Sequence, residues 1–306
     1  MQYITNTSKG GVRFVAQNLV PVYGEVVPKY RKIIGKDCLV THYDRDLIKA
    51  MLWSMFGYAV GIKLHISHVD PINLFKRKYV ARSVLNIFIY KLASTLGWRF
   101  VFISRENYAK YRGFISAEYI ANPLLSDLEI KASSSLSVKD SIRFVNMGRF
   151  DFQKNQKQTL EFIEYLEKKH PGNCYEFHFY GDGPLLPLFI EEIGIREYKD
   201  KIFLHDWSDN VYEDLRKYHI YLQSSIWEGL PTIVIQAISQ GLKIVSFPIV
   251  SSASLLNDSS YIDKYFAFEY FLENSEAKID LIKYSVDTSL EEHKKLYEKL
   301  RVLHLR

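Results

Sequence analysis

The chain has little cysteine and no long apolar run. Its two cysteines, Cys38 and Cys174 in 306 residues, stand far apart inside apolar stretches. That excludes a disulfide framework and leaves both expected as small buried hydrophobes in a reducing compartment. The longest charge-free stretches, residues 229–242 and 244–257, are 14 residues each, short of the roughly 18 apolar residues a spanning helix needs. The opening MQYITNTSKGG has no basic segment leading into an apolar one, so a secretion leader is not expected and the chain is placed in the cytoplasm. No repeat with a period of 20–50 residues is visible, and no clustered set of Asp or His announces a metal site.

What is present is a globular composition, 47% hydrophobic and 25% charged, with a formal net charge of +5. The charge is unevenly spread. Residues 1–125 hold 18 Lys and Arg against 7 Asp and Glu, and the remainder holds 22 against 28, so the first part carries +11 and the second −6. Two domains with different partners are expected.

Short apolar runs alternate with segments of helical periodicity, the pattern of parallel strands joined by crossover helices. The runs are residues 2–5, 37–41, 62–67, 99–104 and 117–120, then 142–146, 174–180, 201–204, 220–223 and 243–247. Between the sets, residues 122–140 trade periodicity for Pro, Ser and charge, as in an exposed connector. The expected organisation is an α/β domain over 1–130 and a second over 131–306, the latter ending in a charged helical tail with Leu296, Leu300 and Leu303 on one stripe.

Two segments carry chemistry. In Asn146-Met-Gly-Arg-Phe-Asp-Phe-Gln-Lys-Asn-Gln156, a glycine follows a strand and Arg149 and Lys154 occupy the turn before a helix, so two cations stand where α/β sheets bind ligands. Arg forks onto two phosphate oxygens and Lys acts as a point charge. In Ser224-Ser-Ile-Trp-Glu-Gly-Leu-Pro-Thr232, Pro231 suits a helix N1 position and Gly241 closes that helix. Amides around Gly229, Leu230 and Thr232 would face an anion at the helix start. Thr232 and Gln236, four apart, share a face. Glu228 suits a polyol, because a carboxylate accepts paired hydrogen bonds from vicinal hydroxyls; its alternative role is to favour the helix N-terminus electrostatically.

Taken together, Gly148-Arg149 with Lys154, Tyr180-Gly-Asp-Gly-Pro184, and Glu228-Gly-Leu-Pro with Gln236 and Gly241 resemble the donor-binding domain of the retaining GT-B glycosyltransferases, family 4. The resemblance covers residues 140–256 and rests on the combination and order of the motifs. It implies a GT-B fold, two Rossmann-like domains facing a central cleft, here with a shortened acceptor-side N-terminal domain. It implies that Arg149 and Lys154 bind the diphosphate of a nucleotide sugar, Glu228 contacts the donor near the sugar, and the second acidic position of the family lies on the ribose. Here that position is Gln236, a departure.

In the N-terminal part, Ser8-Lys-Gly-Gly11 resembles the family's glycine loop, which implies donor contact at Gly10 and Gly11. The family commonly places a histidine after the third strand. His68, at that strand's carboxyl end, is preferred over His65 within it, and His42 is its rival. Lys76, Arg77, Lys78 and Arg82 lead a helix in which Val80, Val84, Ile87 and Phe88 recur at helical spacing. Such a helix either packs on its own sheet or lies on anionic lipid headgroups at the inner face of a membrane. The resemblance implies metal-independent transfer of a sugar, with no cofactor beyond the nucleotide-sugar co-substrate, onto a glycan or lipid-linked acceptor of surface polysaccharide assembly. The alternative is a catalytically silent GT-B subunit that binds a partner or glycan. Nucleic acid is not an expected partner, since the basic helix lacks an interleaved aromatic platform.

Overall fold

The computed structural model describes residues 2–3, 11–27, 37–56, 61–68, 70–71, 80–124, 141–247 and 285–304. Its chain divides into two compact units, one formed by Met1–Asp127 with Ile282–Arg306 and the other by Leu128–Leu281.

The first unit holds six parallel strands, β1 (Gln2–Tyr3), β2 (Val26–Val27), β3 (Cys38–Thr41), β4 (Ile62–Ser67), β5 (Trp98–Phe102) and β6 (Ala117–Tyr119), in the order β2-β1-β3-β4-β5-β6. Every residue of β3 is buried, as expected of a parallel strand covered on both faces. Helices α1 (Gly11–Asn18), α2 (Val20–Tyr23), α3 (Asp44–Met55), α4 (Val80–Thr95) and α5 (Arg105–Tyr111) connect them. Leu39, Leu47, Tyr90, Trp98, Phe100 and Tyr111 are central to one core of this unit.

The expected runs coincide with the strands except for β2, which the sequence did not suggest. It is two residues long, and its place is set by parallel pairing with β1, Gln2 opposite Val26. A second difference concerns the tail. Helix α10 (Val286–His304) is counted with the first unit, not with the second as expected. Ser289 Oγ donates to Ala121 O at 2.7 Å, Tyr23 OH and His293 Nδ1 share a 2.8 Å hydrogen bond, and Lys299 pairs with Glu118 at 2.8 Å. Leu296 and Leu300 are buried as the stripe implied, but Leu303 is half exposed because the helix has passed beyond its partners. Of the cysteines, Cys38 is buried and Cys174, just before a strand, is exposed, which corrects the expectation for it.

On α4 the buried residues are Tyr90 and Ala93, while Val84, Leu85 and Phe88 are each more than half exposed. Val84 and Phe88 of the expected stripe therefore face outward, while Ile87 is half-buried. Lys76, Arg77 and Lys78 lie outside the described residues, and Arg82 is placed only as a position on α4.

The second unit is a five-stranded parallel sheet, β7 (Ile142–Met147), β8 (Tyr175–Tyr180), β9 (Ile202–His205), β10 (Ile220–Gln223) and β11 (Lys243–Ser246), in the order β11-β10-β7-β8-β9. Along β8 the residues Tyr175, Phe177 and Phe179 are buried and the alternate ones are half-buried, the two-residue period of a strand. Helix α6 (Lys157–Lys169) buries Leu160, Ile163 and Leu166 at the expected spacing, with Phe162 beside them. Gly172, in the left-handed region at φ 88°, follows its end. Helices α7 (Leu186–Gly194), α8 (Val211–Leu215) and α9 (Thr232–Ser239) complete the described part of the unit. Pro231 is the N-cap of α9, one residue earlier than the N1 position expected.

Chain order reverses beside β7. The chain first moves outward through β8 and β9, then returns to lay β10 on the other side of β7. The loops after β7 and β10 are neighbours at the carboxyl ends of adjacent strands, the switch point at which open α/β sheets bind ligands.

Candidate functional site

The two loops singled out in the sequence are stitched together at this switch point. Ile226 N donates to Gln153 O at 2.8 Å, Gln153 Nε2 to Trp227 O at 2.9 Å, and Ser224 Oγ to Lys154 O at 2.7 Å. Their charged tips meet as well. Lys154 Nζ lies 2.6 Å from Glu228 Oε1, with the lysine 24% and the glutamate 9% exposed. Ser225 Oγ donates to the same oxygen at 2.6 Å. A carboxylate so far removed from water needs this cation and hydroxyl to offset its lost hydration. Burial and, second, the Glu228 carboxylate push the Tyr221 phenol well up; its hydroxyl donates to Met147 O at 3.1 Å.

Glycine is required where these loops meet their neighbour. The Gly148 amide donates to Tyr180 O at 3.0 Å and the Phe150 amide to Asp182 O at 2.9 Å. A Cβ on Gly181, at φ 136°, would stand 2.1 Å from Gly148 O, and one on Gly183, at φ 156°, 2.4 Å from Phe150 O. The Tyr180-Gly-Asp-Gly-Pro184 motif is thus explained by backbone approach. At Gly148 the space of the absent Cβ is bordered by the Lys154 stem, 3.4 Å away. Gln156 reaches back, Nε2 donating to Arg149 O at 3.1 Å, and holds the turn. Asn155 adopts the left-handed region at φ 49°, which an asparagine tolerates.

Of the expected donor-binding residues, Lys154 and Glu228 are brought into direct contact. Arg149 stands on the same loop, exposed, and makes no ion pair among the described residues. Gly229 and Leu230 are buried in the turn into α9 and Thr232 begins it. Pro231 O accepts from Val234 N and Ile235 N, so the helical ladder opens there. Gln236 Nε2 donates to the Tyr212 hydroxyl of α8 at 3.3 Å. Sequence reasoning missed Ser225, Gln153 and Tyr212. Nothing in the pair Ser224-Ser225 says which hydroxyl meets the glutamate, and Tyr212 reaches Gln236 from another helix.

In the first unit Gly10 lies outside the described residues and Gly11 opens α1. The three histidines differ in how they are used. His65 Nδ1 contacts Thr41 Oγ1 at 2.9 Å and its Nε2 the Tyr90 oxygen at 3.1 Å, while Tyr90 OH donates to Asp44 at 2.7 Å. Both ring nitrogens are thereby committed to the core. His42 is also fully engaged, to Gln2 and to His68. His68 uses Nε2 on His42, and its Nδ1 makes no hydrogen bond to any described residue. Burial first, with neighbouring histidines second, holds His42 well below the usual imidazole range and His68 down to about 3. Among the described residues no group of three or more His, Cys, Asp or Glu could hold a metal ion.

Two parallel α/β units, the second with its two motif loops at a switch point, agree with the GT-B class of fold that the solved neighbours share. The chain belongs to the family of glycosyl transferases group 1, which matches residues 128–299, more than half its length. An uncharacterized glycosyltransferase of Methanocaldococcus jannaschii is 32% identical over 108 residues, covering 35% of this chain and 26% of that protein. The putative glycosyltransferase EpsF of Bacillus subtilis is 24% identical over 117 residues, covering 38% and 30%. The matched part thus spans less than a third of either relative. Among solved structures, Anabaena HepE in complex with UDP and glucose superposes with a TM-score of 0.69 at 10% identity, covering 99% of this chain and 96% of that one. The lipopolysaccharide outer core galactosyltransferase WaaB gives 0.56 at 14% identity, covering 96% and 79%. At such identities the likeness establishes the fold.

Proposed function

We propose that this protein is a retaining glycosyltransferase that moves a sugar, a hexosyl unit, from a nucleotide-sugar donor to a hydroxyl of a glycan or lipid-linked acceptor. The observation that carries the reading is the contact of Lys154 with Glu228 at the switch point, a cation for phosphate beside a carboxylate for sugar hydroxyls. Solved neighbours in complex with UDP-glucose, or with UDP, Fondaparinux and alpha-GlcNAc-glycerol, support it.

In the reaction the bond between the anomeric carbon and the phosphate oxygen breaks, and its electron pair leaves with the diphosphate. Arg149, Lys154 and the amides at the start of α9 stabilise that charge where it develops. The acceptor oxygen bonds to the anomeric carbon on the same face, and its proton passes to the departing phosphate oxygen. Glu228 and His68 hold sugar hydroxyls through charge-assisted and neutral hydrogen bonds. The two side-chain cations supply the positive charge that a divalent ion supplies in other transferases, so the reaction is read as metal-independent, with the nucleotide sugar as co-substrate and no further cofactor. Gln236 addresses the ribose as an amide.

Surface polysaccharide assembly is the proposed setting, in line with the name of the WaaB neighbour. The chain would work in the cytoplasm, at the inner face of the membrane. Val84, Leu85, Phe88 and Leu92 of α4 are exposed, as are Leu52 and Phe56 on and beside the adjacent α3. Together with Lys76, Arg77 and Lys78 of the preceding sequence and Arg82 of α4, they suit a surface of anionic lipid. No helix of the described residues is long and apolar enough to cross a bilayer.

The test is transfer by Arg149→Ala and Glu228→Ala against a panel of nucleotide sugars. A loss of at least tenfold in kcat/KM is expected for each, and unchanged turnover in both removes the assignment. The second reading, a silent subunit, is favoured by Gln236 in place of a carboxylate; saturable donor binding with no transfer to any acceptor would select it.

A further inference from the structure

Gln2, His42 and His68 form a chain of hydrogen bonds whose polarity is fixed at one end. Gln2 is fully buried, and its Nε2 donates to two backbone carbonyls, Ala16 O at 2.7 Å and Gly24 O at 3.1 Å. Those oxygens accept only, so the amide cannot be turned round, and Gln2 Oε1 is left facing His42 Nε2 at 2.9 Å. An amide oxygen only accepts, so the proton of His42 sits on Nε2. A neutral imidazole carries one ring proton, which leaves His42 Nδ1 as an acceptor. That atom is 3.0 Å from His68 Nε2, with the two rings stacked at 5.3 Å between centroids and 25° between planes. His68 must then donate from Nε2, and its Nδ1 carries a lone pair. Burial, which holds both rings well below the usual imidazole range, keeps them neutral.

We propose that His42 is a positioning residue that locks His68 in the Nε2–H tautomer, so that His68 Nδ1 presents a fixed hydrogen-bond acceptor to a substrate hydroxyl. The role given to Nδ1 rests on the transferase reading; the tautomer does not. An acceptor with a single orientation accepts a hydroxyl proton and turns away a carbonyl or ether oxygen at the same place. A ring that exchanged tautomers would divide its population between accepting from that hydroxyl and donating to it, and so would not fix the hydroxyl's orientation. The other core histidine, His65, cannot take this part, because both its nitrogens are already used.

The experiment labels the histidine rings of the full chain with 15N and reads which nitrogen of each bears hydrogen, in the native protein and in His42→Asn and His42→Phe. Asn keeps an acceptor oxygen near the place of His42 Nδ1, whereas Phe keeps the stacked ring and removes the acceptor. The expected result is a pure Nε2–H ring at His68 in native protein and in His42→Asn, and a mixture in His42→Phe with a fall of at least tenfold in kcat and less than threefold in donor KM. A native His68 protonated at Nδ1, or a single unchanged tautomer in His42→Phe, overturns the proposal, and the native spectrum decides even if both variants fail to fold. Native protein that shows the expected rings but binds no sugar nucleotide in the same sample overturns the role of Nδ1 along with the transferase reading, and the spectra distinguish the two failures.

Discussion

Lys154 Nζ and Glu228 Oε1 lie 2.6 Å apart although 74 residues separate them in the chain. The contact exists because β7 and β10 are adjacent strands and each is followed by one of the two loops. If Lys154 takes a donor phosphate as proposed, that phosphate would compete with the carboxylate already there.

The pair is expected to show energetic coupling. Lys154→Met leaves a poorly hydrated carboxylate without its cation and should lower stability more than Lys154→Met with Glu228→Gln together. Urea unfolding of both single variants and the double variant should give a coupling energy of about 1–3 kcal/mol. Additive effects would mean that the ammonium contributes nothing to burying the carboxylate.

Ala at position 181 or 183 should be costly. Its Cβ would meet a backbone oxygen at 2.1 or 2.4 Å, and neither φ suits an L residue. A loss of about 2–3 kcal/mol is expected from denaturant midpoints at unchanged slope. Gly97→Ala is the control: it has a positive φ but no atom within 4 Å of the added carbon, so the smaller loss there isolates the collision from the backbone strain.

Stability should fall in acid through the histidines. Burial lowers His42, His68 and His293, the latter two to about 3. Unfolded histidines take up protons near pH 6.5, whereas the folded ones do not until far lower. The stabilisation is complete above pH 6.5 and declines as pH falls towards 3, by about 1.4 kcal/mol per pH unit for each histidine. His293→Gln should make the decline between pH 6 and 4 shallower in urea titrations, and an unchanged slope would contradict the neutral buried ring.

Gln236→Glu should tighten nucleotide diphosphate binding severalfold if this side chain meets the ribose, since a carboxylate accepts hydroxyl protons more strongly than an amide. Tyr212→Phe removes the hydroxyl to which the amide donates and should weaken binding. Calorimetry with UDP and GDP reads both. Equal affinities for native and Gln236→Glu would place the ribose elsewhere.

Strands and the two motif loops were legible because each carries its own signal: an apolar run closed by a glycine or a polar turn. Val26–Val27 has no such signal, as pairing with Gln2–Tyr3 alone defines it. Lys154 and Glu228 could be named from their motifs, but Ser225 and Tyr212 depend on which neighbours the fold supplies. The apolar residues of α4 had a legible spacing, but the sequence left open whether they faced the sheet or turned outward. Spacing marks a face without saying what lies against it, and Tyr90 and Ala93 took the inner side. Likewise, the stripe on α10 was readable, whereas its partners Tyr23 and Ala121 lie far back in the chain.

Because α10 belongs with residues 1–127, the half that is translated first is completed last. A ribosome that has released residues 128–281 has delivered one whole folding unit and left the other without α10, so the hydrogen bonds of Tyr23 with His293 and of Ala121 with Ser289 form only once that helix emerges. Docking of α10 is thus a late step for the unit translated first, against the usual order in which the N-terminal domain is finished before the next.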